Sequence, residues 1–516
     1  MMTSVPVVSA APVAVQRPAL RVALAAALAT ALAGCSLTPT YDRPVAPVTP
    51  HWPAAVQQAQ GAGKAAVDVP WQEFVLDPRL REIIALTLHN NRDLRIAVKN
   101  IEQARAQHGI TAANMGPTVG GTLGGSRSSP NPSPVPGAPS VASTYSVGLG
   151  VSAWEIDFFG RLRALNENAL ARYLATEEAR KATQISLISA VASTWLSLQA
   201  NGELQALAER TLGTRQQSTS LTRLRMDAGV ASALDMRQAE SLAASARAAV
   251  AQQQRLRTQD INALTLLVGQ EIPEELLPPV PPVVVPRPGN DATKSIAVPP
   301  MPNTLSRFAE IGAGLPSDVL LRRPDILAAE QQLVAANANI GAARAAFFPR
   351  VTLTGAFGRA STGLEELFGG PAFSTWSFLP QISVPIFDWG RNQANLNAAK
   401  AGRDIAVAQY EKAIQTGFRE VADALAGRAT LTDQLAALEA QAAASREAYR
   451  LSELRYRNGI ASYLHLLDAQ RALYASEQAL VGTRLQERVN QVNLYKALGG
   501  GWTEPAPAAA PANASD

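Results

Sequence analysis

The sequence predicts a mixed α/β membrane protein written as two consecutive copies of one unit. Segments recur at a nearly constant separation along the chain. Four short segments alternate apolar with small residues, the period of a strand with one apolar face. Two stretches, 160–227 and 390–457, run without a proline and read as very long helices.

The repeat is the primary signal. "DLRIAVKNIEQARAQHGITAANMGP" (93–117) aligns with "DILAAEQQLVAANANIGAARAAFFP" (325–349) at a separation of 232 residues. Further on the separation is 230: Gly160 matches Gly390, Gly229 matches Gly459 and Gly269 matches Gly499. The two-residue change falls between Pro117 and Phe159, and no net gap follows it. The first repeat spans 79–269 and the second 324–499.

Arg17 and Arg21 precede "VALAAALATALAGCS": a positive region, an apolar run too short to span a bilayer as a mature helix, then small residues. Residues 1–34 read as a lipoprotein signal peptide, and Leu32-Ala33-Gly34-Cys35 as a lipobox. Cys35 is the only cysteine, so no disulfide can form within the chain; cleavage before it would leave a thiol and an amine for acyl chains. Ser36, rather than an aspartate, follows it, which by resemblance to bacterial lipoproteins implies sorting to the outer membrane. An extended segment occupies 35–78.

Each repeat then has one grammar. A helix runs toward a proline, about 79–116 and 324–348, because proline cannot continue a helix and disfavours it in the preceding residue. Strands follow at 118–126 and 144–153, and at 351–361 and 374–384; Tyr145, Val147, Leu149 and Val151 show the alternation best. Residues 118–153 contain one charged residue, Arg127. Alternation alone suits a soluble hairpin, whereas the export signal and lipid anchor point to a membrane barrel. Four strands cannot close around a pore, and open edges are not tolerated in lipid, so membrane strands would require oligomerisation.

Long helices over 160–227 and 390–457 are followed by shorter ones over 232–268 and 462–498. At 1.5 Å per residue each long helix measures roughly 100 Å. In the second, Leu435, Leu438, Ala442, Ser445, Tyr449, Ser452 and Tyr456 form a heptad seam, with small residues that permit close approach. A soluble coiled coil would show the same seam. A proline-rich linker with an equatorial segment spans 270–323, and 500–516 read as a disordered tail.

The composition argues against several chemistries. The net charge is only +4, which gives no case for nucleic acid. His51, His89, His108 and His465 are scattered without metal-ligand spacing. The glycines of "VGGTLGGS" precede no helix and lack the lysine of a phosphate loop, and no nucleophile–base arrangement has a local signature. No enzymatic activity and no cofactor are expected beyond covalent lipid on Cys35.

Cys35 with "SLTPTYDRPVAPV", "EIDFFGR" (155–161), "LRRPDI" (321–326), "VPIFDWGR" (384–391) and "RYRNGIASYLHLLDAQRALY" (455–474) jointly carry a resemblance. The chain resembles the TolC-like outer-membrane factors, in particular the OprM-like (NodT-type) lipoproteins of RND efflux systems, over essentially its whole mature length. The resemblance implies a homotrimer: a trimeric 12-stranded outer-membrane β-barrel, four strands per protomer, continued by a long periplasmic α-helical barrel. It implies passive, gated conduction from periplasm to exterior, with a periplasmic adaptor (membrane fusion) protein and an inner-membrane RND pump as partners. The same kind of duct would also suit heavy-metal efflux or type I secretion, and a soluble periplasmic scaffold is the alternative of another class.

The family also implies the site. Leu464 and Asp468, one helical turn apart, would line the closed constriction as rings of three. Read by itself, Asp468 is a solvated carboxylate near a helix N-terminus, where the macrodipole favours it. Asp235 and Tyr456 occupy gate-locking positions. The expected gate arginine is replaced by Ala461, which leaves Arg455 or Arg457 to stand in; His465 takes the place of a second gate aspartate. Gly229, Val230 and Ser232 on one turn, and Gly459, Ile460 and Ser462 on the other, would be the adaptor-docking tips.

Overall fold

The computed structural model describes residues 36–53, 63–129, 141–285, 298–312 and 321–502. Cys35, the expected signal peptide over 1–34 and most of the expected tail lie outside the described residues. The elements are α1 (Pro78–Asn90), α2 (Arg92–Ala113), β1 (Val119–Ser128), β2 (Ala142–Ile156), α3 (Arg161–Asp227), α4 (Ala233–Val268), α5 (Pro324–Ala345), β3 (Arg350–Ser361), β4 (Phe373–Ser383), α6 (Arg391–Arg457) and α7 (Tyr463–Ala497).

Two compact units divide the described residues. They do not coincide with the consecutive repeats read from the sequence, because each draws on both. One holds 36–43, 103–129, 141–173 and 331–407, and the other holds the remainder.

In the first unit the four strands form one antiparallel sheet in the order β1-β2-β3-β4. Its register aligns the apolar positions in rows. Leu123 faces Val147, Leu149 faces Phe357, Phe357 faces Trp376 and Val351 faces Ile382. The alternate positions carry Thr122, Gly124, Ser146, Gly148, Thr354 and Ala356. A strand slipped by one residue would mix the faces, so the register is specified.

The apolar face is uncovered: Leu123, Leu149, Phe357, Trp376, Phe378 and Ile382 are all more than 60% exposed. At the paired glycines Gly148 and Gly358 the backbones approach closely. A Cβ on Gly148 would lie 2.8 Å from the Phe357 carbonyl oxygen, which excludes larger residues.

β2 is longer than the alternation predicts, because a bulge resets it. Its pairing shifts between Val151 and Trp154, and Ala153 adopts φ 47° with its N–H donating to Thr354 Oγ1 at 3.1 Å. The extra residue returns Trp154 and Ile156 to the apolar face, opposite Leu353 and Val351.

Leu37 and Pro39 lie along α5. Pro39 and Leu37 carbonyls accept from Asn337 Nδ2 (2.7 Å) and Arg344 Nη1 (3.2 Å). At the foot of the sheet Arg161 makes a bidentate pair with Glu155, at 2.8 and 2.7 Å.

The second unit has the larger core. Phe74 stacks between Tyr495 (3.9 Å between ring centroids) and Phe308 (5.0 Å), over buried Leu80, Ile83, Val191, Trp195, Leu264, Val421 and Val481. The Tyr495 hydroxyl donates to the Val69 carbonyl at 2.6 Å, and burial raises its pKa.

The helix expected over 79–116 is two helices. Asn91 breaks it in an extended conformation (ψ 135°), accepting from the Leu94 N–H at 2.9 Å and donating to the Leu267 carbonyl at 2.8 Å. That side chain acts as an N-cap for α2. At the matching place in the second repeat Arg323 donates to the Ala497 carbonyl at 2.7 Å, and also binds Asp325 and Glu420 at 2.6 and 2.8 Å. α5 ends at Ala345, three residues short of the expected limit.

Candidate functional site: the hairpin tips

Two helical hairpins end in turns of one design. In the first, Val230 N–H donates to the Arg225 carbonyl (2.8 Å) and Gly229 N–H to the Met226 carbonyl (2.9 Å). In the second, Ile460 N–H donates to the Arg455 carbonyl (2.9 Å) and Gly459 N–H to the Tyr456 carbonyl (3.1 Å). These bonds satisfy the last carbonyls of each long helix. They require a left-handed residue, and Gly229 and Gly459 supply it at φ 76° and 72°. The turns therefore project apolar side chains outward: Val230, Leu234, Ile460 and Leu464 are 74, 66, 68 and 54% exposed.

The helix starts beyond the turns differ. Ser232 and Asp235 form a reciprocal capping box, each side chain meeting the other's backbone N–H at 3.1 Å. Ser462 makes no side-chain cap, and the position corresponding to Asp235 is His465.

Behind the tips lies a small core. Tyr449, Tyr456, Tyr463, Leu466, Leu467 and Leu473 come from the second hairpin, whereas Ala239 is the fully buried contribution of the first. The Tyr456 and Tyr463 rings are 5.6 Å apart at 54°. Burial, reinforced by neighbouring Tyr456, pushes the Tyr463 pKa up to about 12. The heptad seam of α6 points inward as expected: Ala442, Tyr449 and Tyr456 are buried, and the other four members are half-buried.

Arg225 joins the hairpins. Its guanidinium lies 4.3 Å from the centroid of the Tyr456 ring, and Nη2 donates to the Tyr456 and Arg457 carbonyls at 3.3 and 3.4 Å. Sequence reasoning missed it. The signal was present: Arg225 and Arg455 both lie four residues before their turn glycine, but only the second hairpin carries tyrosine at the next position, where the first has Met226.

The other expected positions fall as follows. Leu464 and Asp468 share an exposed face of α7, and Asp468 has Arg471 at 3.8 Å. Tyr456 is buried and held by Arg225, while Asp235 is engaged in its own helix cap. The Arg455 side chain is exposed, and Arg457 pairs with Glu453 at 3.4 Å. Gly229, Val230, Ser232, Gly459, Ile460 and Ser462 all lie on the exposed or half-exposed surface of the turns.

An uncovered apolar sheet and paired long helical hairpins define a class: an outer-membrane channel protein with an extended helical portion. The chain belongs to the outer membrane efflux protein family, whose model matches residues 83–270 and 315–500. The toluene efflux pump outer membrane protein TtgC of Pseudomonas putida is 46% identical over 476 residues, covering 92% of this chain and 94% of the relative. Outer membrane protein OprJ of Pseudomonas aeruginosa is 42% identical over 491 residues, covering 95 and 97%. Among solved structures, the open state of the Neisseria gonorrhoeae MtrE outer membrane channel matches with TM-score 0.78 and 39% identity, covering 91% of this chain and 99% of that one. The protein is thus an efflux protein of the outer membrane.

Proposed function

We propose that three copies of this chain form the exit duct of a tripartite RND-type multidrug efflux system, conducting its substrates passively from periplasm to exterior. The observation that carries this reading is the four-stranded sheet itself. Its apolar face is exposed, and among the described residues β1 and β4 each leave one edge unpaired within the protomer. Neither feature suits water or lipid alone; joining β1 of one copy to β4 of the next removes every edge and leaves a continuous apolar band facing lipid. Three copies give twelve strands, and the long hairpins would then form a helical barrel presenting six tips.

The protomer is read as an internal duplication. The two turns share their backbone bonds, and the Asn91–Leu267 and Arg323–Ala497 contacts occupy matched places. Within the duct, Leu464 would narrow and dewet the closed end and Asp468 would add a ring of carboxylates favouring cations. Asp235, Tyr456 and Arg455 are assigned to the region that holds the tips closed. Val230 and Ile460, with Gly229, Ser232, Gly459 and Ser462, would offer the adaptor its apolar footing. Cys35 would carry the lipid anchor. No step of this reading requires catalysis.

Size and conductance test it. The full-length protein extracted in detergent should migrate as a heat-modifiable trimer and conduct in planar bilayers. Leu464→Ala with Asp468→Ala should raise conductance and reduce cation selectivity. A monomer without channel activity would overturn the duct, and unchanged conductance and selectivity would overturn the gate alone.

A further inference from the structure

Between the two hairpins lies a cavity of about 40 Å³ that the duct reading does not use. α3 supplies Arg210 and Arg215, α6 supplies Tyr449, and α7 supplies Gln470, Tyr474 and Glu477. The volume suffices for one small ion or one to two waters.

The charges around it do not balance. Glu477, 1% exposed, accepts from both Arg210 and, at 3.2 Å, Arg446. One carboxylate therefore serves two guanidiniums. Arg215 adds a third positive charge at 7% exposure. Its Nη1 donates to the Leu242 carbonyl at 3.0 Å, and its Nε, also buried, has no partner. Among the described residues no carboxylate lies within ion-pair distance of it. Burial lowers its pKa, the nearby Arg471 acts in the same sense, and only tyrosines oppose them. A buried cation without a counter-charge is the least favourable arrangement an interior can hold.

We infer that this cavity binds one small monovalent inorganic anion, chloride under cellular conditions, held by the guanidiniums of Arg215 and Arg210 and the hydroxyl of Tyr449. The remaining polar group fits. Gln470 Oε1 is buried without a partner while Nε2 reaches Ser218 Oγ at 3.3 Å. Turning the amide over, a choice that hydrogen-bond networks decide, presents Nε2 to the anion and lets Oε1 accept from the Ser218 hydroxyl. Tyr474, whose ring lies 5.7 Å from the Arg215 guanidinium carbon, closes the wall without adding charge. A water could bridge Arg215 Nε and Gln470 Oε1, but it would leave the excess positive charge uncompensated. An anion neutralises part of it and links α3 to the second hairpin.

The experiment uses bromide, which replaces chloride and scatters anomalously. Crystals of the full-length detergent-solubilised protein grown in sodium bromide should show an anomalous peak in this cavity, and crystals of Arg215→Gln should not. In solution, replacing sodium fluoride by sodium chloride at constant ionic strength should raise the unfolding temperature of the native protein by roughly 2 °C or more, and leave that of Arg215→Gln unmoved. A water without anomalous signal in the native crystals would overturn the proposal. So would equal stabilisation of both proteins by chloride. The native bromide measurement stands even if the variant fails to fold.

Discussion

The first hairpin closes on Gly229 and the second on Gly459 with the same backbone bonds, yet the two contribute opposite chemistry to the space behind them. The first sends arginines inward: Arg210, Arg215 and Arg225. The second answers with Tyr449, Tyr456, Tyr463 and Glu477. The positions 230 residues away do not reproduce this: Tyr449 corresponds to Thr219, Tyr463 to Ala233, and Glu477 to Arg247. On the internal duplication proposed above, one scaffold has kept its backbone grammar and differentiated its interior. Arg210 of the first hairpin is buried against Glu477 of the second. The pair is therefore a unit, and its coupling can be broken asymmetrically.

The largest asymmetry should come from Glu477. Glu477→Ala leaves buried Arg210 and half-buried Arg446 without their acid, which costs about 3–5 kcal/mol. Arg247→Ala, the matched change on an exposed site of the first hairpin, should cost less than about 0.5 kcal/mol. Hydrogen exchange of the hairpin amides reads both as local opening free energies. Equal effects would mean that the interior is not differentiated.

Next is the bridge itself. Arg225→Met removes a cation–π contact and two charged hydrogen bonds of long geometry, together about 1.5–2 kcal/mol. Arg455→Met, on an exposed side chain, should fall below about 0.5 kcal/mol. The loss should spread to exchange on both hairpins, because Arg225 is on one and its ring partner on the other. An Arg225 effect confined to the first hairpin would sever the link drawn between them.

These residues also mark how far the sequence could be read. The ends of α3, α4, α6 and α7 were legible to within a residue, since glycine turns and serine starts bound them locally. The inward seam of α6 was legible because small residues and tyrosines kept a heptad spacing over three repeats. What failed to show was anything decided by pairing across distance. The break at Asn91 depends on a carbonyl at Leu267, and the bulge at Ala153 on a hydroxyl at Thr354. The choice of Arg225 over Arg455 depends on where a ring from the other hairpin lies. None of these partners is near in sequence, and each residue taken alone fits an unremarkable helix or strand.

The smallest effects concern the helix starts, where Ser232-Ala233-Leu234-Asp235 is matched by Ser462-Tyr463-Leu464-His465 and only the fourth position can complete a capping box. Asp235→Ala removes half of the capping box and should cost about 1 kcal/mol in exchange at the first turn of α4. The second hairpin lacks that box because His465 stands where a carboxylate would reach back to the Ser462 N–H. His465→Asp supplies the carboxylate on a side chain already exposed, so nothing has to be repacked. The new group would accept from Ser462 and sit favourably against the positive end of α7, a gain of about 0.5–1 kcal/mol. Exchange at 463–466 should slow by a factor of roughly two to five, converted from that gain, while 233–236 stay unchanged. Should the substitution leave exchange unaltered, the second turn is held open by something other than its missing cap. Slower exchange would show that the two starts differ in stability through this one position, with the second left the more easily frayed beside Leu464.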